Sequence, residues 1–169
     1  MRRGFTLIEI IVVVGVIGLI MAAVTSILIN TTRAKTRIEL TDAVEASGNL
    51  VMSQIKNDVF NALGEGMTCP STGTNTISFV NVGDGEVTTL SCYEGQKIAS
   101  ESAKGNYDLT SADVAVSGCN NFVSCDYYAG TTDKISKVKF TFGLTAGQVA
   151  EGGEHFVSRK FQSDVVTRN

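Results

Sequence analysis

Residues 4–29 read GFTLIEIIVVVGVIGLIMAAVTSILI and decide how this chain folds. Glu9 is the single charged residue between positions 5 and 29, and residues 10–24 carry no polar side chain. As a helix, residues 10–29 would be roughly 30 Å long, which matches the hydrocarbon core of a bilayer. Arg2 and Arg3 would hold the N-terminus in the cytoplasm. The segment therefore predicts one membrane-spanning helix, with the rest of the chain on the far side.

This helix could be a signal peptide, a plain membrane anchor or a buried core helix. Glu9 helps to distinguish among these interpretations. A carboxylate near the start of an apolar span costs a few kcal/mol unless it has a partner, and residues 21–26 offer no good signal-peptide cleavage site. Cleavage after Gly4 would create an α-amine on Phe5, four residues before Glu9 on the same helical face. The amine of a neighbouring subunit, shifted along the helix axis, would serve equally well. The sequence thus predicts that Glu9 pairs with an amine.

The hexapeptide GFTLIE at residues 4–9, followed by the apolar run, resembles the class III leader of type IV pilins and type II secretion pseudopilins. The resemblance implies cleavage between Gly4 and Phe5 by a prepilin peptidase, methylation of the Phe5 amine, and a charge role for Glu9 in assembly. Its implied partners are other pilin or pseudopilin subunits, the peptidase, an inner-membrane assembly platform and, before assembly, lipid. The implied location is the inner membrane, as a single-pass protein with an extracytoplasmic head, and afterwards a filament.

Beyond residue 30 the helix pattern becomes amphipathic. Apolar or small residues recur at spacings of three and four: Val44, Gly48, Val51, Ile55, Val59 and Leu63. One helix is therefore predicted from about Phe5 to Leu63, ending at residues 64–66 (GEG). The predicted organisation is a leader at 1–4, a transmembrane and assembly helix at 5–29, an amphipathic helix at 30–64 and a β-rich extracytoplasmic head at 65–169.

Short strand patterns separated by turn residues follow the helix. The predicted strands cover residues 76–82, 86–93, 97–101, 113–117, 135–144 and 154–167, with a hairpin connection at 83–85. Five or six antiparallel strands on one long helix give an α+β fold, in which the helix packs on a small antiparallel sheet. This order, with its final strand ending VVTRN at 165–169, resembles the minor J-type pseudopilins and related minor pilins.

Four cysteines lie beyond the predicted span, at Cys69, Cys92, Cys119 and Cys125. An even number on the far side of the membrane predicts disulfides, for which three pairings exist. We favour Cys119 with Cys125 and Cys69 with Cys92, so that residues 120–124 would form a stapled surface loop. A zinc site is disfavoured because no CxxC pair occurs.

The other candidate sites are weak. Several acids could suggest calcium, but no EF-hand-like run of ligands is present, and turn or capping roles explain most of them: Asp84, Glu86, Asp108, Asp113 and Asp126. His155 is the single histidine, and neither GxSxG, a P-loop nor HExxH occurs. We therefore expect no enzymatic activity, no cofactor and no metal.

The composition fits one globular domain behind one anchor. The chain has 169 residues with 14 Lys and Arg against 17 Asp and Glu, a net charge of −3, so nucleic acid is not an expected partner. The sequence predicts a minor structural subunit of a type IV pilus or type II secretion pseudopilus. The alternative is a membrane-tethered binding module, such as an adhesin or DNA-uptake subunit, whose isolated head at 30–169 would bind a ligand.

Overall fold

The computed structural model describes residues 6–62, 67–69, 73–83, 85–129, 134–147 and 156–166. The α-helix α1 spans Leu7–Phe60, a stretch that contains no proline. The chain divides into two compact units, Met1–Ile38 and Glu39–Asn169. The described part of the first unit consists of Thr6 and the part of α1 up to Ile38. The second unit holds the rest of α1 and every described strand. α1 ends at Phe60, before the predicted end at Leu63, and residues 63–66 lie outside the described residues.

The last part of α1 buries the face that the sequence predicts. Val44, Val51 and Ile55 are fully buried, and Val59 is nearly so. Gly48 also lies on this buried face. The charged residues of the same stretch stay on the outside or at the margin of the face. The three-and-four spacing thus gives the correct helix register, because one apolar stripe must face the core.

Four strands form the first antiparallel sheet, in the order β1-β2-β3-β4. They are β1 at Thr76–Val80, β2 at Val87–Cys92, β3 at Ile98–Ser102 and β4 at Gly105–Asp108. Consecutive strands are neighbours, so the sheet is a meander built from local hairpins. The sequence predicts the first three strands but places Gly105 and its neighbours in a loop, whereas β4 pairs with β3 through Ser102↔Gly105 to Ala99↔Asp108.

The second antiparallel sheet is built on one long strand. Its members are β5 at Val114–Ser117, β6 at Val123–Tyr127, β7 at Ile135–Gly147 and β8 at Phe156–Val166. β5 and β6 pair with different parts of β7, and β8 pairs with β7 from Lys137 to Gly147. Because β7 residues pair with β8 on one side and with β5 or β6 on the other, β5 and β6 share one edge of β7. The sequence misses β6 entirely.

Phenylalanine side chains fill the core between α1 and the second sheet. Phe122, Phe140 and Phe142 are almost completely buried. The rings of Phe122 and Phe140 meet edge to face at 5.7 Å between centroids, while Phe142 stacks on Phe161 at 5.5 Å. These are the favourable aromatic geometries. The inward-facing residues of β7 thus match the alternation expected from the sequence.

At Gly48 the backbone of α1 lies directly against the ring of Phe161 on β8. A Cβ atom at Gly48 would lie 2.1 Å from Cζ of Phe161, which is far inside van der Waals contact. The ring of Phe161 therefore occupies the space that any other residue at position 48 would need. Glycine here serves helix-to-sheet packing, at the expense of about 1 kcal/mol of helix propensity.

We predict that Gly48→Ala lowers the free energy of unfolding of the full chain in detergent micelles by about 1 kcal/mol, which is the middle of the net range left after the gain in helix propensity. The overpacking penalty of about 1–3 kcal/mol exceeds the gain in helix propensity. Chemical denaturation measures it, and Asn49→Ala, at the exposed neighbouring position, is the matched control that should not destabilise. Adding Phe161→Leu should recover part of the loss. A Gly48→Ala chain more stable than the wild type would contradict this packing.

Both disulfides differ from the pairing that the sequence favours. Cys69 is bonded to Cys125 and Cys92 to Cys119, with Cα–Cα distances of 6.1 and 5.4 Å. The prediction of Cys119–Cys125 and Cys69–Cys92 is therefore wrong.

The reason is that residues 119–125 are not a surface loop. A 3-10 helix at Cys119–Asn121 leads directly into β6, and Phe122 and Val123 are fully buried. Cys125 faces the core beside Cys69, whose carbonyl accepts a hydrogen bond from the Tyr127 hydroxyl. The Cys92–Cys119 bond joins β2 of the first sheet to the segment after β5 of the second.

We predict that removing either disulfide strongly destabilises the head. In the chain-entropy description, Cys92→Ser/Cys119→Ser should lower the free energy of unfolding by about 3.5 kcal/mol, and Cys69→Ser/Cys125→Ser by about 4 kcal/mol. The second value is larger because the bond closes a longer loop, with sequence separation 56 against 27. Chemical denaturation of the two double variants measures both. Losses below about 1 kcal/mol in both variants would show that the bonds do not hold the head together.

Candidate assembly segment

Glu9 lies in the first turn of α1. The carbonyl of Thr6 accepts hydrogen bonds from the backbone N–H groups of Glu9, at 3.1 Å, and Ile10, at 3.4 Å. A carboxylate in the first turn interacts favourably with the helix dipole. Within the described part of the chain, the Glu9 side chain is exposed and has no hydrogen-bond or ion-pair partner. Gly4 and Phe5, the predicted processing residues, lie outside the described residues.

The helix that follows Glu9 is apolar on every side and exposed. An 18-residue window in α1 has a mean hydropathy of 2.9, none of it buried within the chain. Consecutive residues 10–14 are each about half exposed, and since successive helical residues are turned by about 100°, they cover the whole circumference. A helix that is apolar all round needs an apolar environment. This segment is long and apolar enough to cross a membrane.

The few hydroxyl groups in and after this segment bond to the helix itself. The Thr25 hydroxyl donates to the carbonyl of Met21 at 2.8 Å, and the Ser26 hydroxyl donates to the carbonyl of Ala23 at 2.8 Å. Thr31 and Thr32 donate to carbonyls four residues back in the same way. Such bonds satisfy the hydroxyl groups without water, as an apolar environment requires. Between residues 7 and 29, the carboxylate of Glu9 is therefore the polar side chain that still needs a partner.

Gly15 and Gly18 lie on the exposed apolar helix. A Cβ atom at either position would meet nothing within 4 Å. Packing within this chain therefore does not require glycine at these positions, in contrast to Gly48. Small residues on an apolar helix allow another helix to approach closely.

Two of the other candidate acids form ion pairs. Asp108 pairs with Lys97 at 2.6 Å, and Asp126 lies 3.6 Å from Lys137. Hydrogen bonding to Asp108 raises the pKa of Lys97, and these exposed pairs contribute little to stability. No group of three or more metal-ligating side chains occurs among the described residues; Asp84 and His155 lie outside them.

The basic residues take part in ionic and polar interactions. Arg159 on β8 faces Glu45 on α1, with Nε 3.8 Å from a carboxylate oxygen. Arg33, Lys35 and Arg37 on α1 all take part in polar or ionic interactions.

Comparison with known proteins assigns the N-terminal segment. Residues 1–25 match the family model described as the prokaryotic N-terminal methylation motif. This match supports a class III leader, of the kind that type IV pilins and pseudopilins carry, ahead of the exposed apolar helix. No curated protein and no solved structure matches the chain.

We predict that two lysines in the centre of the apolar segment remove the chain from membranes. Each lysine at a helix centre costs about 2.5–3.5 kcal/mol in membrane insertion, so Val13→Lys/Ile17→Lys should offset most of what the apolar residues contribute. The measurement is the fraction of chain that stays in the membrane pellet after alkaline extraction. Val13→Leu/Ile17→Leu is the matched control and should remain in the pellet. Retention of the lysine variant at the control level would contradict a membrane-spanning role.

Proposed function

We propose that this protein is a minor structural subunit of a type IV pilus or type II secretion pseudopilus. A prepilin peptidase would cleave it between Gly4 and Phe5, the new Phe5 amine would be methylated, and residues 5–29 would carry it from the membrane into a filament. The observation that carries the proposal is the carboxylate of Glu9, which has no partner among the described residues and lies on a helix that is otherwise apolar all round. The match to the methylation motif at residues 1–25 supports the same assignment.

Transfer of this helix from the membrane into a filament costs little free energy. Residues 7–29 are exposed in the isolated chain and would contact lipid tails before assembly and neighbouring helices afterwards. Both surroundings are apolar, so the transfer changes the hydrophobic energy little, and close packing and charge pairing decide between them. The carboxylate of Glu9 fixes the register, because an unpaired charge in a filament core is strongly penalised. Its partner would be the Phe5 amine of the same or a neighbouring subunit.

The remainder of the chain would lie on the extracytoplasmic side of the inner membrane. Arg2 and Arg3 before the span favour a cytoplasmic N-terminus. Two disulfides in the second unit support this orientation, since such bonds persist in oxidising compartments. We assign residues 1–4 to the leader, 5–29 to the assembly helix, 30–64 to the amphipathic helix and 65–169 to the head.

A minor role is preferred over that of the main filament subunit. The order of the helix and strands resembles minor J-type pseudopilins, and no cysteine pair encloses the C-terminal region. The bonds Cys69–Cys125 and Cys92–Cys119 both close before β7, so they leave β7 and β8 outside their loops. This feature supports the preference for a minor subunit.

We predict that intact-mass and N-terminal analysis of the membrane-extracted protein finds N-methylated Phe5 as the first residue. The non-reduced chain should be four hydrogen atoms lighter than the reduced chain, because it holds two disulfides. A host strain without the prepilin peptidase is the control and should yield a chain that starts before Gly4. A start at Met1 in a host with active peptidase, or a start near Thr25, would contradict the proposed function.

A further inference from the structure

The turn between β2 and β3 reaches across to the second sheet. Residues 93–97 form a tight turn in which the Tyr93 N–H donates to the carbonyl of Lys97 at 2.8 Å. Gly95 in this turn has a φ of +73°, a conformation that favours glycine. Its N–H donates to the carbonyl of Val116 on β5 at 2.8 Å. The turn is therefore attached to the second sheet by its backbone.

The carboxylate of Glu94 makes the second connection. One of its oxygens accepts from the backbone N–H of Gly118 at 3.1 Å, and the other accepts from that of Cys119 at 2.7 Å. These N–H groups begin the 3-10 helix at Cys119–Asn121 and have no helical partner of their own. Hydrogen bonds to a charged acceptor are stronger than neutral ones. We call the Glu94 carboxylate and the Gly95 N–H, together with their partners at 116–119, the Glu94 clamp.

The Glu94 clamp lies next to the Cys92–Cys119 disulfide, and an unfolded chain would not favour this pairing. Cys92 and Cys119 are 27 residues apart, and Cys69 and Cys125 are 56 apart. Cys119 and Cys125, by contrast, are separated by 6 positions. The probability that a flexible loop closes falls with the 3/2 power of its length, so the short loop forms about tenfold more readily than the Cys92–Cys119 loop. Some non-covalent structure must reverse this preference before the sulfurs react.

We propose that the Glu94 clamp directs disulfide pairing, with Glu94 as a positioning residue that holds Cys119 beside Cys92 in the reduced chain. All three hydrogen bonds of the clamp use backbone groups or the Glu94 carboxylate, so none depends on the sulfur atoms. Once Cys119 is held at Cys92, Cys125 is left to pair with Cys69 on the core side of β6. The clamp thereby excludes the short Cys119–Cys125 loop and sets both bonds.

The oxidation itself follows ordinary thiol–disulfide exchange. A thiolate of the pair attacks glutathione disulfide and releases one glutathione, and the second thiolate then attacks the mixed disulfide and releases another. Two electrons and two protons leave the cysteine pair for each bond formed. The clamp changes the distance between the two cysteines and takes no part in the exchange.

The first test is refolding of the reduced, denatured full chain in detergent micelles with a glutathione redox buffer. Chymotrypsin sites at Phe79, Tyr93 and Phe122 separate all four cysteines into different peptides, so mass spectrometry reads the pairing directly. Glu94→Gln should raise the yield of the Cys119–Cys125 isomer at least threefold at early times. Glu45→Gln, which removes an exposed carboxylate from α1, is the matched control and should refold like the wild type. Equal isomer yields in all three chains would overturn the proposal.

The second test remains decisive even if Glu94→Gln refolds poorly. In a full chain with Cys69→Ser/Cys125→Ser, equilibration with glutathione gives the effective concentration of the Cys92–Cys119 pair. Adding Glu94→Gln should lower that concentration about fivefold to tenfold, whereas in the complementary chain with Cys92→Ser/Cys119→Ser the effective concentration of Cys69 and Cys125 should change less than twofold. Equal losses for both pairs would mean general destabilisation of the head and would overturn a pairing role.

Discussion

The first part of this chain depends on the carboxylate of Glu9, which lies on an apolar helix and has no partner among the residues that the structure describes. Every other side chain from Leu7 to Ile29 is apolar or, like Thr25 and Ser26, bonds to the helix backbone. An environment that suits this surface is apolar, and in such an environment a lone carboxylate requires a cation. Lipid alone does not supply one at that depth, whereas an α-amine at Phe5 would. The physical requirement and the methylation motif at residues 1–25 therefore lead to the same class of protein.

The second unit has a different requirement. Its small hydrophobic core must hold two small sheets and one face of the helix together. The helix contributes one stripe of aliphatic side chains, and Gly48 lets the ring of Phe161 lie directly against its backbone. Both disulfides attach the second sheet to other parts of the unit, and the Cys92–Cys119 bond joins the two sheets. Small extracytoplasmic domains commonly use such bonds because their cores contribute little stability.

Local patterns predicted much of this fold, and non-local contacts account for what they missed. The register of α1 and the inward side chains of β7 follow from periodicity, which is a property of the sequence alone. β4 reads GNYD, a typical turn sequence, and becomes a strand because it pairs with β3. β6 forms by pairing with β7, which comes later in the chain, and cysteine spacing cannot specify disulfide connectivity. The role of Glu94 had no sequence signal, since its partners are backbone groups 24 and 25 residues away.

The measurement that tests the account most directly is the partition of Glu9→Gln between membrane and filament, with Glu45→Gln as the matched control. Glutamine keeps the size of the side chain but cannot pair with an amine as an anion. The account predicts that both variants are cleaved and inserted like the wild type, while the filament-to-membrane ratio of Glu9→Gln alone falls by about a hundredfold or more, because leaving an unpaired amine in the filament core costs about 3–5 kcal/mol. Incorporation of Glu9→Gln at the level of the control would contradict the central claim.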